Sequence, residues 1–291
     1  VFRLQNKRPL SRQLRLVVRD RIDSALDLLA ENDELTPGTV HQLRKNFKRL
    51  KALFRLVRTL NQAAGEQEIA RYRDLGRELS SSRDREVIEQ TLVKLQFLTA
   101  DCAVIERLDG LLQRLQKQDI DDSSSGSCES IDALRQKLLE ARHSAENLLI
   151  GDFSPDLLMG GYQETYRKSR KLWKRIPESR QQEDWHDWRK RVKDDWYQTQ
   201  LLSNFREDNT RKRLANLRTL ADLLGYDHDL QNLSEIIEIL AVRPYPLDEE
   251  VQQLIDKQRL VLQKECLELG RKLYQDKPSV MQKQFSSIES V

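Results

Sequence analysis

Apolar residues recur every three or four positions along nearly the whole chain, and no stretch sustains the two-residue alternation of a half-buried strand. The first helical segment opens at Pro9 and Ser11 and runs to about Ala30, with Leu14, Val18, Ala25 and Leu29 on one face. A second, over residues 40–61, puts Leu43, Phe47, Leu50, Phe54 and Val57 on its apolar side, with Thr39 as N-cap and Gln42 at the capping-box position. A third covers 66–80. A fourth starts near Asp84, after the serines at 80–82, and extends to Gln118 with an interruption around 99–101. The polar, low-complexity stretch 119–129 reads as a loop, and a connecting helix follows over 130–149. Ser154-Pro155 then caps and opens a further helix. Asp184 caps the next, helices over 210–224 and 229–241 follow, and a last long one covers 247–275, stopped by Pro278.

The second half of this pattern repeats the first. His41, Arg44, Lys45 and Lys48 return 145 positions later as His186, Arg189, Lys190 and Lys193. Leu75, Leu79 and Arg83-Asp84 return at the same offset as Leu220, Leu224 and His228-Asp229. Each copy spans 43 residues from its His to its Asp, too regular a spacing for chance. Helices joined by short loops favour antiparallel bundles. The expectation is therefore an all-α fold over 9–276: one helical bundle over 9–118, the polar loop, and a connecting helix with a second bundle over 130–276. The two bundles are related by a pseudo-twofold axis and packed as one unit.

What was duplicated is mostly cationic. Residues 41–58 hold seven Lys or Arg and no acid. On a wheel of about 100° per residue, Arg44, Lys48, Lys51 and Arg55 fall within about 60° of one another, beside the apolar face. Arg189 and Lys193 repeat those angles, but Asp194, Trp196 and Tyr197 stand where the first copy has Arg49, Lys51 and Ala52. Arg12, Arg15 and Arg19 form another stripe, and Arg167, Arg170, Lys171 and Lys174 a third. Like charges at such spacings repel by a few tenths of a kcal/mol per pair, roughly. A polyvalent anion relieves that cost, and Arg forks match phosphate oxygens. His41 and His186, near helix starts, suit donation to an anion helped by the helix dipole. Asp84 and Asp229 cap the following helices or orient a neighbouring His or Arg.

Composition bounds the rest. Of 291 residues 33% are charged and 6% aromatic, with few Gly and Pro, as in helical proteins. Fifty basic residues nearly cancel 47 acidic ones, so distribution carries the information and the net charge of +3 does not. Three widely separated cysteines without CxxC spacing suit reduced thiols in the cytoplasm. There is no bilayer-length apolar run, P-loop, metal-ligand spacing or nucleophile signature, so the sequence predicts no cofactor, no metal and no catalysis.

The H-x-x-R-K-x-x-K blocks, each followed by L-x-x-x-L and then (R/H)-D, resemble the CHAD domain, the conserved-histidine α-helical domain, over nearly the whole chain. The resemblance implies a pseudo-symmetric pair of four-helix bundles binding inorganic polyphosphate in a central basic groove. Carried over by position, that groove takes His41, Arg44, Lys45, Lys48, Lys51 and Arg55 from the first copy and His186, Arg189, Lys190 and Lys193 from the second. The run from Tyr166 to Lys171 resembles the family's basic, tyrosine-containing helix, and Asp194-Asp195 departs from the family's cationic continuation. Relatives are sometimes fused to triphosphate-tunnel phosphohydrolases, which makes such an enzyme, or another acting on polyphosphate, the implied partner. Two alternatives stand beside this reading. One is binding of RNA or single-stranded DNA, with aromatics stacking on bases. The other is a polyphosphate-processing phosphohydrolase using Asp84 and Asp229.

Overall fold

A computed structural model describes residues 2–5, 9–32, 34–79, 81–118, 130–151, 153–179, 181–205, 210–241 and 249–282, without the side chains of 81–85, 116–118, 155, 240, 241 and 282. The described residues form helices and their connections, with no strand. In order they are α1 (Leu10–Ala30), α2 (Pro37–Leu56), α3 (Gln62–Glu78), α4 (Ser81–Gln96), α5 (Cys102–Gln118) and α6 (Ile131–Leu148). The second half adds α7 (Pro155–Ser179), α8 (Gln182–Leu201), α9 (Thr210–Ala241), α10 (Glu249–Tyr274) and α11 (Pro278–Gln282).

The internal repeat reaches the element boundaries. Helices α2 and α8 are both 20 residues long and lie 145 positions apart at each end. Single 3-10 turns, Arg58–Leu60 and Ser203–Phe205, keep the same offset. So do the starts of α1 and α7 and the ends of α4 and α9. The copies differ in helix number at the α3–α4 junction. Two helices were expected over 210–224 and 229–241, but α9 runs through as a single helix of 32 residues. In the first copy α3 ends at Glu78 and α4 starts at Ser81, whereas the second copy carries Gly225-Tyr226-Asp227 at the equivalent positions. Asp227 is buried and accepts from Arg259 Nε (3.1 Å) and Gln263 Nε2 (3.0 Å), which fixes the continuous helix against α10.

Capping explains the other shifts. Thr39 is not the N-cap of α2. Thr36 is, with its Oγ1 accepting from the Thr39 amide and Pro37 in the first helical turn, so the helix starts three residues early. Asn61 caps α3 in the same way, and Ser130 caps α6. Asp184 does not cap α8: Gln181 occupies that position without a side-chain bond, and the buried Asp184 instead accepts from Arg175 and Ser179.

Two compact units result. The first comprises 1–80, 129–221 and 269–291; the second comprises 81–128 and 222–268. The first unit takes α1–α3 from one copy and α7, α8 and the start of α9 from the other. The second takes α4 and α5 from one and the rest of α9 with most of α10 from the other. Each unit thus draws equivalent helices from both copies, so grouping by contact cuts across grouping by repeat.

In the second unit Leu92, Leu95, Leu108, Leu230, Leu233, Val251 and Ile255 form the core. In the first, α2 packs on α1, α3, α7 and α8, and α7 packs along α8. Phe54 stacks on Tyr72 of α3 (centroids 5.8 Å apart, planes 11° apart) with Phe47 beside them, and Trp188 of α8 meets Tyr274 at 6.4 Å. Full burial of each such side chain contributes about 1.5–3 kcal/mol.

Helix α7 crosses the end of α2 with backbones nearly touching. A Cβ built on Gly161 would lie 1.9 Å from the Leu56 carbonyl oxygen, while one on the adjacent, exposed Gly160 meets nothing within 4 Å. Gly161→Ala should therefore destabilise the protein by about 3 kcal/mol, because backbone must move. Gly160→Ala should stabilise it by about 0.5–1 kcal/mol through helix propensity. Urea denaturation of the two variants checks the contrast.

Candidate functional site

The apolar faces of α2 and α8 dictate where their charges go. Leu43, Phe47, Leu50 and Phe54 on α2 and Trp188 and Val192 on α8 are buried, so the adjoining stripes must emerge beside the line where the two helices pack. A cleft of about 490 Å³ opens there in the first unit, between α2, α3 and α8. From α2 it receives Arg44, Lys48, Lys51 and Arg55; from α8 it receives His186, Arg189, Lys190, Arg191 and Lys193. Helix α3 adds Arg73 and Arg77, with Gly76 between them leaving the wall low. Ten Lys and Arg thus line one cavity whose sole lining carboxylate, among the described residues, is Asp194.

Arg44 has a structural duty too. Its Nη1 donates to the carbonyls of Gly76 (3.1 Å) and Leu79 (3.2 Å), capping the C-terminal end of α3 where the helix dipole favours a cation. Asp194 is buried and takes Arg55 on one oxygen (2.6 Å) and Arg191 on the other (3.1 Å), so a contact across the two copies closes one side of the cleft. The crowding shows in the titratable groups. Lys51 is pushed down to about 8, first by loss of water around its ammonium, then by Arg55, with Asp194 opposing. His186 is held below its usual range, first by burial and then by Lys190 and Arg189, which favours the neutral imidazole near neutral pH.

A second cluster lies deeper in the same unit. The Asp195 carboxylate is completely buried and accepts from Tyr162 Oη (2.9 Å), Thr199 Oγ1 (3.0 Å), Tyr274 Oη (3.0 Å) and Arg213 Nη2 (2.7 Å). Arg213 also donates to the Leu273 carbonyl (3.1 Å) and lies 5.5 Å from the Tyr166 ring centroid. This network ties α7, α8, α9 and α10 together behind the cleft. Its charges are matched within it, so it is architecture rather than a binding surface.

The other stripes go elsewhere. Arg12, Arg15 and Arg19 line a separate cleft of about 390 Å³ between α1 and α6, with Glu146, Asn147 and Ile150. Arg167 is exposed and bonded to Glu164 (3.0 Å), and Arg170 donates to the Gln275 carbonyl (3.3 Å). Lys171 and Lys174 are exposed on α7, and Tyr166 is a core residue whose hydroxyl donates to the Asp276 carbonyl (3.0 Å). None of these α7 residues lines the basic cleft, nor do His41, which is exposed, and Lys45, half-buried on α2. His228 and Asp229 sit half-buried on α9 in the second unit, and the side chains of Arg83 and Asp84 lie outside the described residues.

Sequence reasoning missed Arg73, Arg77 and Arg191. The first two were legible as an i, i+4 pair. Arg191 was masked by its place between Lys190 and the acids that follow. Among the described residues no three His, Cys, Asp or Glu side chains are grouped as a metal site would need, and no helix is long and apolar enough to cross a membrane.

A family model described as the CHAD domain matches residues 20–238. Among solved structures, the crystal structure of the CHAD domain from the plant Ricinus communis superposes with a TM-score of 0.63, covering 94% of each chain at 17% identity. At that identity the likeness concerns the fold. No curated protein matches the chain.

Lysine-selective NMR should find the Lys51 amine titrating near pH 8. Arg55→Gln removes a neighbouring positive charge and should move that midpoint upward. An unchanged midpoint would show that the two charges do not share the cleft.

Proposed function

The chain belongs to the CHAD domain family, and from that premise we propose that it is a non-catalytic receptor for linear inorganic polyphosphate, held in the basic cleft of the first unit. The observation that carries the reading is the convergence of ten cations from both copies on one cavity with a single carboxylate. Crowding like charges costs energy without a ligand; Lys51 and His186, held down first by burial, are lowered further by cationic neighbours. Polyphosphate carries a negative charge on every phosphorus with only a bridging oxygen between neighbours, so successive phosphates can meet successive cations. Arg189 and Arg44 supply forks for phosphate oxygens; Lys48, Lys51 and Lys193 supply point charges. The proposed pseudo-twofold relation of α2 and α8 suits a chain whose two directions are chemically alike.

Binding of RNA or single-stranded DNA is less well supported. Stacking needs exposed rings. Phe47, Tyr72 and Tyr197 line the cleft but are buried, and Trp185, Trp188, Tyr162 and Tyr166 are core residues. Catalysis would need groups that activate water or hold a metal at the phosphates, and the cleft's one carboxylate is engaged by two arginines. The partner enzyme belongs to the same proposal: a receptor of this kind would hold substrate for a polyphosphate enzyme, a triphosphate-tunnel phosphohydrolase or another.

Replacing Lys48 and Lys193 together by Glu should weaken polyphosphate binding by roughly 100- to 10,000-fold, since each lost charge-assisted contact is worth about 1.5–3 kcal/mol, and should leave helicity unchanged. Adding Arg44→Glu and Arg189→Glu should abolish it. Calorimetry with polyphosphate, in competition with a homopolymer RNA at equal charge, reads both the affinity and the preference. Unaltered affinity in the quadruple variant refutes the site.

The pH dependence has a definite sign. Bound anion raises the pKa of Lys51 and of His186, so binding takes up protons. Affinity should be constant well below both free-state values, fall as pH rises through the His186 range below 6.5, and fall again above about pH 8 as Lys51 deprotonates. Lys51→Arg should remove the upper step, measured as the dissociation constant against pH.

A further inference from the structure

Asp194 is the one feature of the cleft that works against an anion. It is buried, it faces the same cavity as the cations, and it stands where the first copy has Arg49. Arg49 turns to the rings of Phe2 and Tyr197, 5.8 and 6.0 Å away. The duplication therefore placed a cation at this position in one copy, and the other copy carries a carboxylate there. Its two oxygens divide their work: Oδ1 takes Arg55 from the opposite copy at 2.6 Å, and Oδ2 takes Arg191 one turn away at 3.1 Å.

We propose that Asp194 is an internal competitor that withholds Arg55 and Arg191 from the ligand, and so sets how many phosphates the cleft neutralises. This rests on the polyphosphate reading and specifies it further. An anion approaching Arg55 meets a carboxylate already in contact with that guanidinium, in a site too buried for water to screen the repulsion well. To use Arg55 the ligand must displace a preformed, charge-assisted pair and then remain beside the freed carboxylate. The chain instead settles on Arg44, Lys48, Lys51, Arg189 and Lys193. Arg55, which the family resemblance carries over as a groove residue, is in this protein a positioning residue that holds the wall of the cleft through Asp194. A device of this kind gives an anion site a defined extent by an unfavourable element at its margin, as specific interfaces do generally.

The test uses the whole chain, polyphosphate of defined length, and calorimetry over a series of salt concentrations at neutral pH. Asp194→Asn keeps the shape and an oxygen for the arginines but removes the charge. It should tighten binding by roughly tenfold and steepen the logarithmic salt dependence by about 0.7 for each phosphate newly neutralised, up to two. The chain length at which affinity stops rising should grow correspondingly. Arg55→Gln in the wild-type background should weaken binding less than Lys48→Gln does, whereas in the Asp194→Asn background it should cancel part of the gain. Circular dichroism and the melting temperature establish that each variant is folded. Should Asp194→Asn not fold, Arg55→Gln alone decides.

Weaker or unchanged binding with an unchanged salt slope in folded Asp194→Asn overturns the inference. So does a loss from Arg55→Gln in the wild type as large as that from Lys48→Gln. Either outcome leaves the polyphosphate reading intact, because the wild type still binds. Absence of wild-type binding overturns both.

Discussion

Packing α2 on α8 is the constraint from which the site follows. The two helices are the same element in two copies, each with an apolar face and an adjoining cationic stripe. Burying the apolar faces against shared neighbours leaves the stripes nowhere to go but toward each other. Arg44, Lys48 and Lys51 then confront Arg189 and Lys193 across one cleft, and α3 adds Arg73 and Arg77 because Phe47 and Phe54 dock onto Tyr72. A surface stripe can relax into solvent; two stripes brought together by a core cannot. The fall of Lys51 to about 8 reports the cost, with desolvation ahead of neighbouring charge.

That repulsion must be opposed, and the Asp195 cluster lies directly behind it. Asp195 and Asp194 are adjacent on α8, but a helix turns by about 100° between neighbours, so one faces the core and the other the cleft. Asp195 gathers four donors from α7, α8, α9 and α10. A buried pair of this kind contributes little net stability compared with apolar packing, but removing one partner costs about 3–5 kcal/mol. Its role is registry: Arg213 can meet Asp195, Tyr162 and the Leu273 carbonyl together only in one arrangement of those helices. Gly161 adds a steric condition, since no side chain fits between α7 and the Leu56 carbonyl.

How much of this was legible depended on whether the signal was periodic or geometric. The repeat could be read to the residue, and element boundaries at a constant offset of 145 follow from it. The helical class was legible for the same reason, because the apolar period is the property burial selects. Caps were poorly legible: Thr36, Thr39 and Asp184 are all plausible capping residues, and only backbone direction decides among them. At the cleft's centre, Arg44, Lys48, Arg189 and Lys193 were legible because α2 and α8 carry the duplicated motif, and Lys51 because it continues the stripe of α2. Its extent was not. Arg12, Arg15 and Arg19 form as good a stripe as any, but α1 turns them toward α6. The cations of α7 are spread among Glu164, Asp184 and the Gln275 carbonyl. A stripe records which face is polar, not which polar faces share a cavity.

The two copies differ in what they bring to the cleft. The first has an unbroken cationic run on α2, and its α3 and α4 are separate helices. The second has Asp194, Asp195 and the aromatic pair Trp196–Tyr197 on α8, and one helix, α9, where the first has two. Each change trades charge for order: Asp195 locks helices, Trp196 stacks on Tyr197 at 5.0 Å, and Asp194 clamps Arg55 across the interface between copies. A fully symmetric cleft would carry more positive charge and less to hold it together. In this chain cations of both copies line one cleft, and the Arg55–Asp194 pair closes its side across the two copies.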